Sequence, residues 1–155
     1  MMPKSGPNTL ENIVEWFHRA KPSPTDNDGI VQIGCHFEEV SEMIAAMKGG
    51  DRMTQSLLTQ AMLATHALAL HMKSEKPSIN VDAEPFLDAC CDQVVTAAGS
   101  AVFLGLDFLG AAAEVDRSNW SKFENGNPVL NENGKIIKGK LYTPPNLTPF
   151  TEGKV

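Results

Sequence analysis

From Phe86 to Leu104 the chain is apolar or small at nearly every position, and the only charged side chains are Asp88 and Asp92, one helical turn apart. No other segment restricts the fold as strongly. A helix that is apolar around its whole circumference is expected to be covered on every side. Acids are rarely buried without a partner, and no cation stands at helical spacing within this segment to supply one. The fold must therefore cover this rod and also answer two aspartates.

The rest of the pattern is helical as well. A first helix is expected from Thr9 to Ala20, with Asn8 and Glu11 spaced like a capping box. A second starts after Asp26-Asn27-Asp28 and ends at Gly49-Gly50, with Ile30, Ile33, Phe37, Val40, Ile44 and Met47 stepping by three and four. A third covers Arg52 to Ser74 and stops before Pro77. The fourth has Asp82 as its N-cap and closes at Leu104-Gly105, and the fifth runs from Asp107 to about Lys122. Gly126-Asn127-Pro128 then ends the helical texture. Asn133-Gly134 lies between two apolar pairs, a hairpin signal, and the chain beyond Pro144-Pro145 reads as an extended tail. The expectation is an all-α fold in a single domain, 1–155. It would be a four- to five-helix bundle with its core at about 9–122 and a short C-terminal β-hairpin and tail at 123–155. The 155 residues suffice for one sizeable core.

A formal net charge of −6 argues against general nucleic-acid binding, which depends on dense Lys/Arg contacts to phosphates. Arg117, Lys122, Lys135, Lys138 and Lys140 nevertheless crowd into one stretch. Cys35, Cys90 and Cys91 make a poor disulfide framework, and Cys90 and Cys91 are expected to be buried thiols. Met1–Pro7 has no apolar run. The uncharged stretch Ser56–Met72 contains two Thr, a Gln and two His, and is shorter than a membrane span. The expectation is a cytoplasmic, reduced setting with no membrane.

The second helix carries Glu38, Glu39 and Glu42, spaced so that both of the first two neighbour Glu42. A run of glutamates is ordinarily a solvated face. Here no Lys or Arg interleaves between Ile30 and Met47, and the flanking Val31, Cys35, Ala45 and Ala46 are small or apolar. Two like charges at 4 Å repel by about 1 kcal/mol in water and about 4 kcal/mol at an effective dielectric of 20. Five converging carboxylates would therefore need divalent cations unless most stayed protonated, and metal is the economical explanation. Oxygen ligands without His or Cys favour Mg²⁺ or Mn²⁺, the usual apparatus of phosphoryl chemistry. A ferritin-like di-iron site is excluded, because Ala45 and Val95 stand where its histidines would be. There is no Walker loop, Gly-x-Gly-x-x-Gly, Gly-x-Ser-x-Gly or His-Asp pair. His36, His66 and His71 read as packed or capping groups, with His36 able to contact substrate instead.

Glu38-Glu39-Val-Ser-Glu42 resembles the EExxE motif of the MazG-like pyrophosphohydrolases, relatives of phosphoribosyl-ATP pyrophosphohydrolase and the all-α dUTPases. Asp92 stands from Leu104-Gly105 at the distance of the family's ExxD aspartate. Asn119 and Lys122 resemble its Asn-and-Lys element, and the segment from Ser118 through Lys138-Gly to Tyr142-Thr-Pro-Pro-Asn-Leu is similar to phage and bacterial members. The likeness covers about residues 28–147. It departs at Ala89, where the Glu of ExxD belongs; Asp88 is assigned that role. The resemblance implies Mg²⁺-dependent hydrolysis of a (deoxy)nucleoside triphosphate to a monophosphate and pyrophosphate. Glu39, Glu42, Asp88 and Asp92 would be metal ligands, with Glu38 acting on the attacking water. Lys122 and Asn119 would contact substrate, Lys138, Lys140 and Tyr142 would close as a flap, and Gln32 would meet a base edge. A homodimer or homotetramer is implied. The alternative is a nucleotide- or metal-binding helical module that has lost catalysis.

Overall fold

The computed structural model describes residues 9–132 and 135–151. Asn8 and the Asn133-Gly134 turn lie outside the described residues. Among the described residues the chain is all-α, with five helices: α1 Thr9–Ala20, α2 Asp26–Ala45, α3 Arg52–Glu75, α4 Ala83–Phe103 and α5 Phe108–Trp120. A short antiparallel hairpin follows, β1 Phe123–Glu124 and β2 Asn127–Pro128, and then a single 3₁₀ turn, Thr148–Phe150. Two compact units emerge, one formed by Ser23–Val81 and the other by Met1–Pro22 with Asp82–Val155.

The first unit is the α2–α3 hairpin. Thr25 caps α2: its Oγ1 accepts from the Asp28 amide, while Asp28 Oδ2 accepts from the Thr25 amide. This capping box starts the helix before the acidic triplet, so Asp26 and Asp28 sit in its first turn, where the helix dipole favours them. Asp51 caps α3 through the Thr54 amide. Lys76 ends α3 in the left-handed conformation, just before Pro77. The buried residues of the hairpin are Gly34 and Ser41 on α2 and Ala69 and Met72 on α3. A Cβ on Gly34 would stand 2.9 Å from Lys73 Cγ and 3.1 Å from the Ala69 carbonyl oxygen, so a bare backbone is what admits α3 at this point.

In the second unit, α4 ends in a Schellman motif. The Leu106 amide donates to the Ala101 carbonyl and the Gly105 amide to Val102, both at 3.0 Å. The reversal needs φ of 74° at Gly105, which only glycine adopts cheaply. Asp107 then caps α5 through the Gly110 amide. The α1 helix lies on α5: Trp16 Nε1 donates to the Asn119 carbonyl at 2.9 Å, and the Trp16 and Trp120 rings both pack on Phe123. Asn125 (φ 53°) and Gly126 (φ 81°) make the two-residue turn between β1 and β2, the positive-φ pair that such a hairpin requires. The flanks of the second Asn-Gly also pair, Leu130 with Ile136, and the Ile137 amide donates to the Val129 carbonyl.

The tail is strapped rather than merely extended. It runs back along α5, with the Thr143 amide donating to Ser121 Oγ and the Asn146 amide to Glu114 Oε1. Ser118 Oγ donates to the Thr143 carbonyl, and the Asp107 amide to that of Phe150. Gly110 gives Phe150 its seat, since a Cβ there would stand 2.6 Å from the ring.

One expectation is not met within the single chain. No residue of α4 is buried; Leu87, Val95 and Phe103 are 65%, 66% and 93% exposed. Cys90 and Cys91 are exposed with them. An apolar circumference states that a helix has to be covered, not that its own chain supplies the cover. By length and composition alone, α4 is also apolar enough to cross a membrane.

Candidate metal and phosphate site

The α2 acids divide by environment. Glu38 lies at the edge of the seam with α3, one turn after Gly34 and three residues before Ser41, and is half-buried. Its Oε1 meets Lys73 Nζ at 2.7 Å. Glu39 and Glu42 are exposed. The cation that the sequence lacks between Ile30 and Met47 thus comes from the neighbouring helix, and Lys73 is the residue sequence reasoning missed. A signal was available: Lys73 and Arg52 are the only Lys or Arg side chains of α3. Reading it required the α2–α3 register, which close packing at Gly34 sets.

Asp88 and Asp92 are exposed on α4, in the other unit, with Ala89 between them. Among the described residues no group of three or more His, Cys, Asp or Glu side chains lies close enough to hold a metal ion. What the two helices offer is pairs of hard oxygen donors one turn apart, Glu39 with Glu42 and Asp88 with Asp92. Mg²⁺ is ordinarily held by one or two carboxylates together with waters and substrate phosphates, so the donor chemistry fits this ion in pairs.

Asn119 and Lys122 are brought together. Lys122 Nζ donates to Asn119 Oδ1 at 2.9 Å and stands 5.7 Å from the Trp16 ring centroid. Lys138 Nζ lies 5.0 Å from the Tyr142 ring centroid, a cation–π contact that ties the two residues to each other. Gln32 and Lys140 are exposed. His36, His66 and His71 are exposed as well, not packed, because α3 meets α2 through Ala69 and Met72.

Two further acids mark α5. Glu114 takes Arg117 on both carboxylate oxygens, at 2.7 Å each, and accepts from the Asn146 amide as well. The guanidinium and that amide hold its carboxyl down to about 2. Asp116 is pushed the other way: burial raises its carboxyl, against the pull of Asn12 from α1 and of the nearby Trp120 indole. Asp116 Oδ1 and Trp120 Nε1 are both buried without a well-formed hydrogen bond. The run Glu114–Lys122 therefore serves two ends, holding the strap and α1 in place while presenting a lysine and an asparagine.

No protein-family model matches the chain, and no curated protein or solved structure does so either.

Proposed function

We propose that the chain is a MazG-like, Mg²⁺-dependent nucleoside triphosphate pyrophosphohydrolase, converting a (deoxy)nucleoside triphosphate and water to the monophosphate and pyrophosphate. The observation that carries this reading is the division among the EExxE glutamates. One is half-buried and paired with a lysine, and two are exposed on the same helix at ligand spacing.

In this reading metal would be held by carboxylate pairs, Glu39 with Glu42 on α2 and Asp88 with Asp92 on α4. Bound Mg²⁺, or Mn²⁺, supplies neutralisation of the phosphate oxygens. Glu38 accepts a hydrogen bond from the attacking water and takes its proton as the bond between the α and β phosphates breaks. Lys122 contacts a phosphate as a point charge, aligned by Asn119, which also meets substrate. Lys138 and Tyr142, held as a pair, close over the nucleotide with Lys140, and Gln32 meets a base edge. The covering of α4 comes from further copies of the chain in a homodimer or homotetramer. A bilayer is the poorer host, since an aspartate at its centre costs about 2.5–3.5 kcal/mol. Free Cys35, Cys90 and Cys91 accord with a cytoplasmic, reducing setting.

A panel of nucleoside and deoxynucleoside triphosphates with Mg²⁺, scored for pyrophosphate, tests the reading; no pyrophosphate from any of them sinks it. Ala89, in place of the ExxD glutamate, favours a second reading, a helical nucleotide- or metal-binding module without catalysis. Such a module would shift its melting temperature with nucleotide and Mg²⁺ while releasing no pyrophosphate.

A further inference from the structure

We propose that Trp16 is a positioning residue: from α1 it holds Lys122 and Asn119 as a pair of donors that receives a phosphate group of the triphosphate. The identity of the anion rests on the pyrophosphohydrolase reading, while the pairing itself needs no metal. The likeness to that family begins at about residue 28, so α1 lies outside it and no motif gives Trp16 a part.

Two cations stand on one aromatic cluster and are treated differently. Arg19 lies 5.6 Å from the Trp120 ring centroid and is neutralised by Glu15 at 2.7 Å. Lys122 Nζ lies 5.7 Å from the Trp16 ring centroid, and among the described residues no carboxylate pairs with it. Its side-chain hydrogen bond goes to a neutral acceptor, Asn119 Oδ1, at 2.9 Å. An ammonium has three N–H groups, so this half-buried lysine keeps donors to spare and no counter-ion. Lysine only donates, which fixes the Asn119 amide with its oxygen towards Lys122. Asn119 Nδ2 meets no acceptor among the described residues, so a charged and a neutral donor stand side by side. Phosphate oxygens complement such a pair, and partial burial strengthens the attraction.

Trp16 holds both members. Its Nε1 donates to the Asn119 carbonyl at 2.9 Å, which also receives the Lys122 amide at 3.1 Å. That carbonyl belongs to the last turn of α5, where backbone acceptors have no helical partner. The same indole offers its ring to the ammonium, and Phe123, with its centroid 5.9 Å away, packs on that ring in turn. One side chain thus sets backbone and cation together.

The test uses the full chain and inorganic tripolyphosphate, with binding measured by calorimetry in EDTA. Wild type should bind, and Lys122→Met should bind far more weakly. Trp16→Leu should weaken binding about tenfold, the scale of a partly desolvated cation–π contact. Trp16→Phe keeps a ring face without the indole donor and should lose only about threefold. Asn12→Ala loosens α1 at Asp116 instead and should bind as wild type does. In turnover, the loss in Trp16→Leu should fall on KM with kcat little changed. Wild-type affinity in Trp16→Leu overturns the proposal, as does an equal loss in Asn12→Ala, which would make α1 merely structural. If the leucine variant does not fold, the phenylalanine variant decides, and wild-type affinity there overturns it. Failure of wild type to bind tripolyphosphate also overturns it, and pyrophosphate release from a nucleotide would then leave the enzymatic reading standing. If the binding pattern appears but wild type releases no pyrophosphate, the enzymatic reading falls while the phosphate-binding pair stands.

Discussion

α4 and α5 are joined by one Schellman turn, yet they are held in opposite ways. α4 is the more apolar of the two and buries nothing within the chain. α5 is the more polar, and what it buries is Asp116, Ser118 and Trp120. It is gripped by α1 on one side and by the strap of residues 143–150 on another, largely through hydrogen bonds. Covering a single Val or Leu gains about 1.5–3 kcal/mol, so the exposed row Leu87, Val94, Val95, Val102 and Phe103 is a large unrealised gain. Apolar content thus measures what a helix gains once it is covered. Directional polar bonds decide how α5 is held.

The largest effect should come from the two charges on the bare helix. If Asp88 and Asp92 serve a metal, Asp92→Asn should cut pyrophosphate release by at least about 100-fold, beyond the usual cost of losing a residue that merely supports a ligand. Chelation of the metal should do the same to wild type. Without metal, the same substitution removes like-charge repulsion and should raise the melting temperature. A variant with full activity would return α4 to the status of an uncovered apolar rod that happens to carry two solvated acids. Asp92→Asn is then only a surface change, worth within about 0.5 kcal/mol.

The two helices also show where sequence reading reaches and where it stops. Helix existence and most ends were legible because punctuation is local: Asp51, Asp82 and Asp107 stand at N-caps, Pro77 follows the end of α3, and Gly105 closes α4, whereas α2 is capped by Thr25, takes Asp26–Asp28 into its first turn and stops at Ala45, short of Gly49-Gly50. The hairpin region was legible too, although the turn at the first of its two Asn-Gly pairs, Asn125-Gly126, was passed over in favour of the second pair. Long-range pairing was hidden. Nothing local announces that Lys73 neutralises Glu38, that Phe150 lies on Gly110, or that Thr143 is received by Ser118 and Ser121. Each depends on how one element is set against another, and helix propensity contains no such information. The candidate site was readable as residue types on particular helices, while the cation that pairs with Glu38 was not.

On α5 the strap can be broken at its apolar end. Gly110→Val would drive a branched side chain into the Phe150 ring and Asp107 Oδ2. Overpacking of this kind costs about 1–3 kcal/mol, read as a lower midpoint in urea with little change of slope. If instead the strap simply lifts away, the midpoint should hold while amide exchange at residues 143–150 rises. That outcome would show α5 to be held mainly by α1.

A smaller, pH-dependent effect should come from the contact between α1 and α5. Burial raises the Asp116 carboxyl above its ordinary 3.8. A raised group binds its proton more readily folded than unfolded, so its contribution is fully present below 3.8 and is lost as pH rises through the folded value. Asp116→Asn does not titrate. Followed by tryptophan fluorescence, wild type should lose stability relative to this variant across that interval and run parallel to it above. Parallel curves throughout would mean that the buried oxygen is hydrated in solution and that α1 rests on α5 by its aromatic contacts alone.

The smallest effect belongs to Glu114, because its ion pair is exposed to solvent and exposed pairs contribute little to global stability. The direction is nevertheless fixed. Arg117 and the Asn146 amide hold its carboxyl at about 2, below an ordinary 4.5. Its contribution is therefore present above 4.5 and lost as pH falls through about 2, the reverse of Asp116 and in a lower window. Glu114→Gln should leave the melting temperature at neutral pH nearly unchanged while speeding exchange of the Asn146 amide, which then loses a charged acceptor. Thr143, bonded to the serines and not to this carboxylate, should respond less. Equal acceleration at both positions would mean that the strap opens as one piece, its hydrogen bonds forming a single cooperative latch along α5 and not a row of independent ones.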